Sequence, residues 1–172
     1  MARKNNDSAC QEDIEVMATL LVAFPQMSRI VFDPRNRTLT SVFLCQGPLS
    51  KNKQRQLNKL YRESLEVYHG LIGIEPRIVN SSWELMDNLC SFQVERDVES
   101  LSTDELSLTA SLVSQNVRVF SASDGSTLVE DIELSWSARF FLQELLEDIR
   151  NIKCTRQLVA VREGEKVIVF DK

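Results

Sequence analysis

Three pairs of β-branched or aromatic runs recur along this chain, each pair split by a turn signal and separated from the next by helical periodicity. That alternation leaves few options. A β-hairpin can bury an apolar face only against another layer, and the intervening helices are the nearest cover.

The first pair lies in RIVFDPRNRTLTSVFLC. Arg29–Phe32 and Thr38–Cys45 read as strands, and Asp33-Pro34-Arg35-Asn36 reads as the turn. Proline presets φ there, and Asp and Asn bond their own backbone. The second pair starts at Arg77–Val79 and continues over Leu89–Glu95, where Cys90, Phe92 and Val94 alternate with Ser91, Gln93 and Glu95. Such alternation marks a strand with one wet face. Trp83 falls at the tip or connecting turn of this hairpin, a place for a binding anchor or for a side chain folded onto the core. In the third pair, Leu158–Arg162 and Lys166–Phe170 flank Glu163-Gly164-Glu165, with glycine supplying an αL position. The unbroken apolar run Val167–Phe170 predicts a last strand covered on both faces.

Between the hairpins, Asp13–Phe24 carries Ile14, Met17, Leu20, Leu21 and Phe24 at helical spacing and is stopped by Pro25. Leu49–Leu71 predicts a long helix with Leu57, Leu60, Tyr61, Leu65, Tyr68 and Leu71 on its inner face, ending near Gly70 and Gly73. Ser102-Thr103-Asp104-Glu105 is a capping box. The Ser102 hydroxyl accepts the N–H three residues on, and Glu105 reaches back to the Ser102 N–H. Thr127–Glu130 repeats the pattern and opens a helix running to about Ile152. The order strand, strand, Leu-Ser, helix occurs twice, ending at Leu49-Ser50 and at Leu101-Ser102, which raises the idea of a duplicated platform.

These elements predict an α+β fold: one mainly antiparallel (or mixed) sheet built from three β-hairpins, with about four helices packed on it. Residues 1–8 are polar and expected as a disordered N-terminal tail, and residues 9–172 as a single α+β domain. A chain of 172 residues hides roughly 70% of its unfolded surface, so it needs no metal or disulfide to hold it together.

Several function classes are disfavoured. A net charge of -5 gives no general attraction to nucleic acid or to anionic membranes. No Gly-x-Gly-x-x-Gly follows a strand, no phosphate-binding loop is present, and no two of the four cysteines are close in sequence. No cofactor or metal is therefore expected, and Cys45 and Cys90 read as small buried hydrophobes. The basic start is followed by no apolar signal core, and Glu15 and Thr19 interrupt Ile14–Phe24. A cytoplasmic, bacterial-type protein with no membrane association is the expectation.

Four groups of residues carry candidate chemistry. Lys51, Lys53, Arg55, Lys59 and Arg62 give five cations and no acid between residues 51 and 62. Cations oppose the dipole at a helix start, so local stability does not require them, and a nucleic-acid or acidic-protein patch is possible. The 127–152 helix is apolar on more than one stripe, and Trp136, Phe140 and Phe141 are its candidate interface. It is also acidic, which suggests self-association with the basic helix. Glu95 and Asp97, either side of Arg96, could serve a carboxylate-dependent hydrolase or transferase, with a hard cation such as Mg²⁺ if a metal is used. The alternative is a local ion pair fixing the strand-to-helix turn. His69 is the chain's one histidine and a candidate base, although its place near a helix C-terminus already suits an imidazolium.

The balance points away from an enzyme. It favours a protein-interaction module that forms a homo-oligomer or meets a protein partner. A nucleic-acid-associated protein and a small carboxylate-dependent enzyme are the alternatives.

Overall fold

The computed structural model of the protein describes residues 4–121 and 136–172. Its elements are α1 (Lys4–Ala23), β1 (Arg29–Asp33), β2 (Thr38–Cys45), α2 (Lys51–Ile72), β3 (Val79–Met86), β4 (Leu89–Asp97), α3 (Thr103–Asn116), α4 (Trp136–Arg150), β5 (Leu158–Glu163) and β6 (Lys166–Asp171). The expected α+β class is borne out, with three hairpins and four helices among the described residues. The mixed-sheet option drops out, because every strand pair is antiparallel.

The turns form as their residues dictate. Asp33 Oδ1 accepts the Arg35 N–H at 2.9 Å, and the Asn36 side chain donates to Asp33 Oδ2 at 2.8 Å. Gly164, at φ 61°, makes the β5–β6 turn. Ser50 and Ser102 cap α2 and α3 by accepting the N–H groups of Lys53 and Glu105. Gly73, at φ 68°, closes α2 in a left-handed conformation and donates its N–H to the His69 carbonyl.

The strand order is β3-β4-β2-β1-β5-β6. Within the first four positions each unit has its second strand on the inside, so the two strand–strand–Leu-Ser–helix units lie beside one another across the β4–β2 pair. Directly paired residues share a face of the sheet. One such row runs Val79, Arg96, Leu39, Phe32, Leu158. Another joins Trp83, Phe92 and Phe43. This face meets the apolar sides of all four helices in one continuous core, with Met17, Leu20 and Leu21 from α1 and Leu142, Leu146 and Ile149 from α4. Tyr61 of α2 stands edge-on to Phe92, ring centres 5.8 Å apart.

The sheet's other face is mixed. Asn80, Glu95 and Thr40 share a row with Val31, Val159 and Phe170. Cys45 and Cys90 oppose each other on the core face, both buried and free, as expected of small hydrophobes. Burial pushes the Cys45 thiol up to about 12 and the neighbouring Cys90 adds to this, so Cys45 stays protonated and unreactive.

Several expectations are corrected. The first helix begins at Lys4 rather than at the expected Asp13. Trp83 lies within β3 rather than at the hairpin tip, and its ring sits 4.9 Å from Phe92. The last strand is an edge strand, not one covered on both faces, and Ile168 and Phe170 are exposed. The inner line of α2 is Leu57, Tyr61, Leu65 and His69, whereas Leu60 and Leu71 are exposed. The predicted capping box at residues 127–130 lies outside the described residues, and the helix it was to open is described from Trp136.

Candidate functional site

Arg96 comes to the helix-facing side of the sheet through strand parity alone. Cys90, Phe92 and Val94 point into the core, so the next residue of that parity does too. A guanidinium there must have every donor satisfied. Nε and Nη2 donate to the two carboxylate oxygens of Glu105 from the first turn of α3. Nη2 also donates to Ser100 Oγ at 3.1 Å, and Nη1 to Asp97 Oδ1 at 2.8 Å and to the Ile78 carbonyl. All five N–H groups are thereby used. Burial alone would push Arg96 down, but Glu105 and Asp97 outweigh it and hold the side chain charged.

Glu105 therefore does not complete a capping box. Its N–H is taken by Ser102 Oγ at 3.2 Å as expected, but its carboxylate turns inward to Arg96 and to His69 Nε2, at 2.9 Å. With both Glu105 oxygens already accepting from Arg96, Nε2 is the donor side of this contact. His69 is only 6% exposed and ends the buried line of α2. It holds α2 to α3 from the last turn of its helix. Tyr68 adds a second tie, its hydroxyl 2.7 Å from Ser102 Oγ.

Asp97 is saturated as well. Oδ1 accepts from the Arg77 and Ile78 N–H groups at 3.0 and 2.9 Å, and Oδ2 accepts from the Ser100 N–H and hydroxyl. Burial pushes this carboxyl up, but those hydrogen bonds and Arg96 prevail and hold it down to about 2. It is an anchor for the strand-to-helix turn, with no lone pair left for a substrate proton. Glu95 points to the opposite face, where it accepts from Asn80 Nδ2 at 3.0 Å beside a shallow polar depression. The structure thus joins Asp97 with His69 through Arg96 and Glu105, and separates both from Glu95.

A pocket of about 380 Å³ opens beside this cluster, between α2 and the start of β3. His69 forms part of its wall, with Leu65, Ile74 and Val79 as apolar surface and Arg62 and Glu66 at the solvent side. Arg62, Glu66 and Gly70 follow one line of α2, adjacent to the buried line.

The surface candidates divide along helices. Lys51, Arg55, Lys59 and Arg62 form an exposed basic stripe on α2, while Lys53 is displaced to another side and half-buried. Only Lys59 among them is ion-paired within the described residues, to Glu63 at 3.7 Å. A separate line of α2 exposes Leu60, Val67 and Leu71, the last at 82%. On α4, which Trp136 opens, Phe140 is 66% exposed and Phe141 49%. Among the described residues, no group of three or more His, Cys, Asp or Glu side chains is placed to hold a metal ion, and no helix is long and apolar enough to cross a membrane.

No protein-family model matches this chain, and no curated protein or solved structure matches it significantly.

Proposed function

We propose that the protein is a non-enzymatic interaction module that self-associates through its helix layer. The observation that carries this reading is the adjacent pair Phe140 and Phe141, 66% and 49% exposed on α4. Neighbouring exposed aromatic side chains are the usual anchors of a protein interface. The apolar line Leu60, Val67, Leu71 on α2 offers a matching surface. Charge supports the same pairing. The exposed acids Glu144, Glu147 and Asp148 lie on α4, whereas α2 opens with cations and no acid in its first turn. In a twofold dimer α2 of each copy meets α4 of the other, so both attractions occur twice. Catalysis by Asp97 finds no support, since both its oxygens are occupied.

Sedimentation equilibrium over a wide concentration range tests the proposal. The wild-type chain is expected to dimerise, more weakly as salt rises, and Phe140→Ser with Phe141→Ser to be monomeric with an unchanged fold. A wild-type monomer at every concentration overturns it, as does a double variant that dimerises as well as wild type.

A further inference from the structure

The pocket beside His69 poses a separate question: why is a charged cluster buried behind it? Burying Arg96 and Glu105 is expensive, and buried ion pairs can often be replaced by apolar pairs of similar volume without loss of stability. The arrangement does have one product at the pocket wall. Glu105 engages Nε2, which leaves Nδ1 as the unspent polar atom of the His69 ring. No described residue donates to it. The two charges at the pocket's solvent side are also unspent. Neither Arg62 nor Glu66 is in an ion pair among the described residues, although they stand four apart on one helix.

We propose that this pocket binds a free α-amino acid with an apolar side chain. The ligand's carboxylate pairs with the Arg62 guanidinium. Its ammonium pairs with Glu66 and donates one N–H to His69 Nδ1. Its side chain lies on Leu65, Ile74 and Val79. The pocket supplies one cation, one anion and an apolar wall, and a zwitterion with an apolar arm uses all of them. About 380 Å³ is ample for a leucine-sized molecule. A simple fatty acid leaves Glu66 and Nδ1 unused, and a simple amine leaves Arg62 unused.

The experiment is an amide NMR titration of the full chain with three probes: L-leucine, 4-methylpentanoate, which lacks the ammonium, and 3-methylbutylamine, which lacks the carboxylate. Leucine is expected to shift resonances of α2 and early β3, and each analogue to bind about tenfold more weakly, as for loss of one charged contact. Arg62→Ala and Glu66→Gln, both at exposed positions, are expected to weaken leucine to a similar degree while leaving the spectrum folded. The chain's single histidine gives one unambiguous ring spectrum, and it should show the proton on Nε2. Absence of leucine shifts, shifts elsewhere on the molecule, equal binding of all three probes, unweakened variants, or a proton on Nδ1 would each overturn the proposal.

Discussion

Asp97 shows how far one side chain can govern a junction. It accepts five hydrogen bonds from the β3 approach, from Arg96 and from the turn leading to α3. Its folded carboxyl is held at about 2, below the ordinary 3.8. A depressed carboxylate contributes stability that is full above its ordinary value and is lost as pH falls through about 2, an effect of about 2 kcal/mol. Asp97→Asn should therefore unfold at lower urea at neutral pH, and its stability should fall less steeply than wild type between about pH 4 and pH 2. Urea midpoints measured across that range check this, and parallel acid limbs would count against it. Part of this site was legible in the chain. The alternation of Cys90, Phe92 and Val94 already directs Arg96 inward by parity, and a local ion pair at Glu95-Arg96-Asp97 was a natural expectation. The role of Glu105 was not legible. A glutamate three residues after a serine fits a capping box equally well, and its real partners lie 9 and 36 residues away in sequence.

At the level of elements, local signals performed well wherever the physics was local. The three hairpins, the Ser102 cap and the αL glycine after α2 all follow from short-range chemistry, and all are present. Periodicity was less exact on α2, because four-residue spacing drifts around a helix. Leu60 and Leu71 share a wheel sector with buried residues but fall past its edge. The start of α1 carried no apolar rhythm to announce it. The two caps offer a matched comparison. Ser50→Ala removes one hydrogen bond at a helix start and should cost about 1 kcal/mol. Ser102→Ala also strips Tyr68 of its hydroxyl partner, so about 2 kcal/mol is expected. Urea unfolding of both variants measures the difference, and equal losses would mean that the Tyr68 contact contributes nothing.

For the whole molecule, the sheet order decides what protects what, and no local pattern discloses it. β1, β2, β4 and β5 have neighbours on both sides, whereas β3 and β6 are edges. Native-state hydrogen exchange should find its slowest amides in β2 and β4 and faster exchange along β6, and β6 amides as protected as those of β2 would contradict this. The same order has a consequence for how the protein is made. Asp13 of α1 accepts the Cys154 N–H, Arg162 donates to the Leu21 carbonyl, and β1 lies against β5. On the ribosome, residues 11–33 emerge long before residues 154–163 exist. Through most of synthesis the first helix has no floor and β1 presents a bare edge. Until β5 and β6 arrive the nascent chain exposes an unpaired edge and an uncovered apolar face, the surfaces through which incomplete chains aggregate.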